Sequence, residues 1–360
     1  MKNSQLVIDG STGEGGGQIL RTALALSAIS SIPFTIYNIR SNRKNPGLQS
    51  QHLSCIDACA KICNANVEGN FLHSSEIEFY PNSLKFENLQ IKCDTAGSTS
   101  LIAQTILPLF MFSKTSLTIS IFGGTDVLYS PPSEFFSSVF VPFLNSIGYN
   151  VKSQIVRVGF YPKGAGQLLI NFKDCKKINK LSLIKREKLE HLTGSCSVSG
   201  LPLDIAQRMK SQMLLDLANL SPPVSPKIKT ELLNCESAGC KNFLLSDYSG
   251  IFAGFGSLGE KGKPANKVAN ITTDEYLRFH KTNACIQSHL ADQILIYLSF
   301  SEGVSEFTTD EVSSHLSTNA QIISKFYDDQ SMFEFSELEN GTKLVKIKGK
   351  GKNFFKPIIE

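Results

Sequence analysis

The sequence predicts a mixed α+β or α/β protein: three repeats of one small helix-and-strand unit, with a smaller α/β domain inserted before the third. Three observations carry this. Apolar periodicity marks six helices that fall into three pairs, 15–30 with 49–65, 97–112 with 131–147, and 287–300 with 316–327. Within each pair the starts lie about 30–35 residues apart, a weak internal repeat of pattern rather than identity. Alternating runs between the helices, FTIYNIR and SLTISIF, read as half-buried strands, with EIEFYP, LQIKCD and QLLINF as weaker cases. Finally, residues 183–278 separate the third pair from the second, behind a lysine-rich stretch, and carry their own helix, IAQRMKSQMLLDLANL. The large domain is therefore expected over 1–182 and 279–360, and the small one over 183–278. One such unit cannot bury its helix and sheet faces alone, but three packed together can share a core.

Each element has a local reason. The first helix follows a glycine cluster, GEGGGQ. Leu53, Ile56, Ala60 and Cys63 mark the second. The second helix of the second pair, marked by Phe136, Val139, Phe140, Phe143 and Ile147, starts at Pro131-Pro132 and stops at Gly148. Pro142 lies inside that pattern and is expected to kink it, because it lacks an N–H. The last residues, KLVKIKGKGKNFFKPIIE, give an alternating strand and a basic tail, expected to form a solvated edge.

Composition sets the bounds. The 360 residues are 41% hydrophobic and carry a formal charge of +4, which permits a nucleic-acid partner without arguing for one. Nine cysteines form no CxxC pair, so buried free thiols in a reducing cytosol are expected rather than a zinc site. The N-terminus has no apolar signal core, and the apolar run from Leu101 to Phe112 is broken by Gln104 and Pro108, so a cytoplasmic protein with no membrane partner is expected.

Several residues invite chemistry. A glycine cluster at a helix start exposes N–H groups to phosphate, yet Glu14 inside it would repel phosphate unless a divalent cation lay between. Arg40 and Arg43 follow a strand, with Gln51 and His52 opening the next helix. Arg21 sits one turn after Gln18 and could join these arginines, whose forks suit phosphate oxygens. Gln104, Asp292 and Gln293 place polar groups on apolar helices, where each needs a partner. His315 opens the last helix. Read singly, each also fits an ordinary turn, basic loop, satisfied core polar group or helix cap.

Together the pieces are more specific. IDGSTGEGGGQILRTALALS, IRSNRKNPGLQSQH, DTAGSTS, GGTD with SPP, FYPKGAG, HLADQ and SHLSTN occur in this order over nearly the whole chain. The chain closely resembles the RNA 3′-terminal phosphate cyclases. The resemblance implies units like the C-terminal domain of bacterial translation initiation factor three, two helices on a four-stranded sheet. It also implies a reaction: ATP adenylates a histidine, AMP passes to an RNA 3′-phosphate, and the 2′-hydroxyl closes a 2′,3′-cyclic phosphate. By the same resemblance His315 is the nucleophile. Gln104, Pro131, His289, Asp292 and Gln293 contact the adenylate, with His289 standing where relatives often have Tyr. Glu14 is associated with Mg²⁺ or Mn²⁺, and Arg21, Arg40, Arg43 and Gln51 lie near the phosphates or the RNA end. The implied partners are ATP and RNA with a 3′-phosphate, the protein being a monomer or homodimer. Relatives often have three glycines where this chain has Gly164-Ala165-Gly166, a change tolerated unless Ala165 needs positive φ. The alternative reading is a non-catalytic cyclase-like binding factor in ribosome or RNA processing. An analogy to enolpyruvyl transferases rests on architecture alone.

Overall fold

The computed structural model describes residues 5–93, 95–220, 224–339 and 341–360; Asp94 of the DTAGSTS motif and residues 1–4 lie outside them. The chain runs β1 (Leu6–Asp9), α1 (Gly17–Ser30), β2 (Phe34–Tyr37), α2 (Ser50–Cys63), β3 (Asn66–Glu68) and β4 (Ile77–Tyr80). It continues with β5 (Leu89–Lys92), α3 (Thr99–Phe110), β6 (Leu117–Gly123), α4 (Ser133–Phe135), α5 (Val141–Ser146), β7 (Asn150–Arg157) and β8 (Gly166–Lys173). The two segments share one strand plan. Each has a parallel pair (β1 with β2, β5 with β6), extended by two antiparallel strands in the orders β1-β2-β4-β3 and β5-β6-β8-β7.

A short strand, β9 (Ser182–Leu183), precedes a different assembly: β10 (His191–Ser199), α6 (Leu203–Asp216), β11 (Lys227–Leu232), β12 (Gly239–Tyr248), β13 (Ile251–Leu258) and α7 (Ala265–Thr282). Its sheet order is β11-β10-β12-β13, with the first strand inside rather than at the edge. Then come α8 (Ser288–Leu298), β14 (Glu302–Thr309), α9 (Ser314–Tyr327), β15 (Phe333–Glu337) and β16 (Lys343–Lys350), in a sheet ordered β15-β16-β14-β9. β9 pairs parallel with β14, so this sheet has the same sense pattern as the first two.

Two apolar clusters form. The larger joins residues from Ile8 to Phe355, with α1, α2, α3, α8 and α9 packed on one another. The smaller fills the β10–β13 sheet under α6 and α7, with Met209, Met213, Tyr276 and Phe279 against Leu244 and Phe255. Phe243, on the other face of that sheet, packs into the larger cluster and docks the two bodies.

α7 runs through residues 278 and 279, where the domain boundary is expected, to Thr282, with Asn283 after it in the left-handed region. Arg186 closes that end, donating to the backbone oxygens of His280 at 2.5 Å and Ala284 at 3.2 Å. The lysine-rich C-terminal strand is not an edge. β16 lies between β14 and β15, and Lys343 and Lys350 pair with Glu337 and Asp329. Beyond it the tail reaches Leu84, whose N–H donates to Ile358 O at 2.7 Å. Pro142 sits inside a continuous helical run over 133–146, and the ladder just before it widens to a π-turn over Phe136–Phe140, with Val141 N–H donating to Phe136 O.

All nine cysteines are free, and Cys55, Cys59 and Cys63 line the buried face of α2. Among the described residues no helix is long and apolar enough to cross a membrane.

Candidate active site

The glycine cluster answers two needs at once. Gly13 has φ 60°, and a Cβ there would lie 2.1 Å from Thr318 Oγ1 on α9. Gly17 opens α1, and a Cβ there would lie 2.3 Å from His52 Nε2 and 3.1 Å from Arg21 Nη1. Glycine thus lets α9 and α2 close on the start of α1. No side chain caps α1, so N–H groups of its first turn stay available to an anion.

Three helices are fastened beneath this point. Thr22 Oγ1 on α1 donates to Asn319 Oδ1 on α9 at 2.6 Å, and Asn319 Nδ2 donates to the Asp292 carbonyl on α8 at 2.6 Å. Ser313 caps α9 by accepting from Leu316 N at 3.1 Å. This places His315 in the first turn of α9, facing the cradle across 297 residues of chain. Its Nδ1 is 2.8 Å from Gln18 Oε1 and 3.6 Å from Glu14 Oε1. An amide oxygen only accepts, so Nδ1 carries the proton and Nε2 keeps its lone pair. Burial lowers the ring's pKa, Glu14 opposes, and Arg21, Arg43 and His289 lower it further, so the imidazole is neutral at neutral pH.

The Glu14 carboxylate is buried, with 4% side-chain exposure. Arg43 bonds its Oε2 and also donates to the Glu14 carbonyl at 2.9 Å. Glu14 Oε1 has no hydrogen-bond partner. Arg21 is half-buried and feels the charges of Glu14 and Asp292, while Arg40 spends Nη1 on the carbonyls of Asn45 (2.6 Å) and Gly47 (2.8 Å), bracing its own loop. Gln51 Oε1 accepts from Ser98 N at 3.2 Å, joining α2 to the start of α3.

Gln104 and Gln293 meet directly, Nε2 to Oε1 at 2.5 Å. Burial, with Glu14 adding, pushes the neighbouring Asp292 carboxyl up to about 7 against the opposing His289 and Arg21. His289, largely exposed, lies 3.0 Å from Glu275 on α7, and that hydrogen bond raises it to about 9. Pro131 stands elsewhere, in a turn held by Asp126. That buried carboxylate accepts from Ser133 N at 3.1 Å and from Lys241 Nζ on β12 at 2.9 Å. Lys241 also reaches Glu134 at 2.7 Å, so the GGTD segment is a clamp between the two bodies.

His52, Gln18, Thr318 and Asn319 were not among the expected site residues. His52 is buried, and burial together with Arg21 and Arg40 drives it down to about 3, leaving it neutral. Its Nδ1 accepts from Gln49 N at 3.0 Å, so Nε2–H faces the cradle. Its position directly before Leu53, the first residue of the α2 stripe, is the available signal.

A model of the family described as RNA 3′-terminal phosphate cyclase matches residues 12–332. The chain belongs to the RNA 3′-terminal phosphate cyclase family. Among curated relatives with that name, one from Gloeothece citriformis is 38% identical over 89% of this chain and 93% of its own. One from Pyrococcus furiosus is 37% identical over the same shares, and one from Pyrobaculum aerophilum is 34% identical over 96% and 99%. The cyclase-family match spans both bodies, the smaller one included.

Proposed function

We propose that this protein converts an RNA 3′-phosphate to a 2′,3′-cyclic phosphate at the expense of ATP. The observation that carries the reading is the meeting of His315 with the amino-terminal cradle: a neutral ring, proton held on Nδ1 by Gln18, beside an uncapped helix start and Glu14. Nε2 attacks the α-phosphorus, a P–N bond forms and pyrophosphate leaves. An oxygen of the RNA 3′-phosphate then takes the AMP, and the imidazole departs with its lone pair restored. The adjacent 2′-hydroxyl attacks the activated 3′-phosphorus, its proton passes to solvent and AMP leaves.

Positioning and fixed positive charge supply the catalysis. Arg21, Arg43 and the α1 N–H groups neutralise phosphate oxygens. His52 presents a neutral donor toward them, and Gln51 fixes the approach of α3. Gln104, Gln293, Asp292 and His289 receive the adenosine; Pro131, in the separate turn held by Asp126, is assigned to it by the family resemblance alone. A divalent cation fits the unpartnered, buried Glu14 Oε1; Mg²⁺ commonly takes one or two carboxylates plus substrate phosphates, and would add charge neutralisation there.

The shared strand plan of the first, second and last sheets supports three repeats of one unit, with the β10–β13 body inserted between β9 and α8. Free buried thiols fit a reducing cytoplasm.

Incubation with α-labelled ATP and metal tests the reading. Label bound to protein, stable to base, lost in acid and absent from His315→Ala is expected. An unlabelled wild type would instead support a binding factor without chemistry.

A further inference from the structure

A strip of backbone leads from the phosphate end of the site to two exposed tyrosines. Gln51 Oε1 holds Ser98 N, and Thr99 N donates to Gly124 O at 2.9 Å. Thr125 N and Asp126 N both donate to Gly159 O, at 3.0 and 3.2 Å, and Asp126 bridges to Phe160. Three residues past Asp126 stands Tyr129, 98% exposed and at φ 62°. One residue past Phe160 stands Tyr161, 74% exposed. Neither ring contributes to a core, although this chain buries most of its large aromatics. A tyrosine held in the left-handed region with its ring in water gains nothing for the fold.

The surroundings favour a flat, anionic polymer. A cleft of about 160 Å³ opens beside Tyr129, lined by Leu128, Ser130, Pro132, Gly256 and Leu258. Arg157 and Lys163, exposed in the segment that carries Tyr161, make no ion pair among the described residues. The loops themselves are anchored. Lys163 N donates to Ser237 Oγ at 3.2 Å, and Phe160 packs where a Cβ on Gly239 would lie 2.7 Å from its ring. Anchored, exposed rings with cations in the same segment are what single-stranded nucleic acids stack upon.

We infer that Tyr129 and Tyr161 form a stacking platform for the unpaired bases just upstream of the RNA 3′-phosphate, with Arg157 and Lys163 following the backbone. The inference rests on the cyclase reading for the direction of the RNA. Recognition of this kind is tolerant of sequence, so the enzyme selects an unpaired 3′ tract rather than a particular base.

The test uses the full chain, a 5′-fluorescent ten-nucleotide RNA ending in a 3′-phosphate, and a dinucleotide with the same end. Tyr129→Ala and Tyr161→Ala each weaken the longer RNA about tenfold, read as Kd by anisotropy and as KM for cyclisation. Tyr129→Phe and Tyr161→Phe keep wild-type values, and the dinucleotide is unaffected by any variant. Lys163→Gln lowers the salt slope of binding by about 0.7, one single-strand phosphate contact. Unchanged affinity of the alanine variants for the longer RNA, or equal loss on the dinucleotide, overturns the platform. Self-adenylation from labelled ATP needs no RNA and is unaltered in every variant. If wild type fails to adenylate, the cyclase reading falls, while anisotropy still decides the platform.

Discussion

At the residue scale, titration and backbone strain give measurable consequences. Asp292 keeps its proton up to about 7 when folded, against an ordinary carboxyl value of 3.8. Between these pH values the folded state binds more protons than the unfolded one, so stability falls as pH rises from 4 to 7. Asp292→Asn removes that slope and gains up to about 4 kcal/mol at pH 7 in the nucleotide-free protein, measured by urea denaturation across pH. For His315 the lowered pKa places the acid limb of the adenylation rate below 6.5. Because Glu14 opposes that lowering, Glu14→Gln moves the limb lower still. Ala165 does take positive φ, at 50°, so its methyl is a strain that glycine would relieve. Ala165→Gly is expected to stabilise by about 0.5–1 kcal/mol in denaturant titration, after the greater freedom of unfolded glycine is set against it.

At the element scale, the buried clamp between β12 and the Asp126–Ser133 turn matters most. Burial alone would raise Asp126, but Lys241 and the hydrogen bonds from Thr125 and Ser133 together hold it below its ordinary value. Lys241→Met strands that carboxylate and costs about 3–5 kcal/mol; adding Asp126→Asn recovers most of it, both read from unfolding midpoints. Asn319 is the corresponding link among the helices, since its amide serves Thr22 on α1 and the Asp292 carbonyl on α8. Asn319→Ala leaves buried groups unpaired and costs about 1–3 kcal/mol. The helix pairs were legible because their apolar stripes keep a 3.6-residue period. α7 was not, because its buried stripe includes Thr272 and Thr273, which carry no apolar signal.

At the scale of the whole molecule, the candidate site is divided between segments far apart in the chain. Gly13–Gln18 and Ser314–Asn319 meet only after α1 and α9 pack, so nucleotide binding reports on the closed main body. ATP at a hundredfold over Kd is expected to stabilise it by about 2.7 kcal/mol, visible as a raised thermal midpoint of the main body.

From residue order alone one could read most of the helices and the family whose motifs the chain carries, because periodicity, glycine and charge act locally. Only the tertiary structure decided what those motifs do to one another. It alone put His315 beside Gln18 and Glu14, drew His52 under the cradle, turned the GGTD segment into a clamp and gave the lysine-rich strand a central place. Each of these depends on partners far apart in the chain, and desolvation and pairing exist only once packing has brought them together.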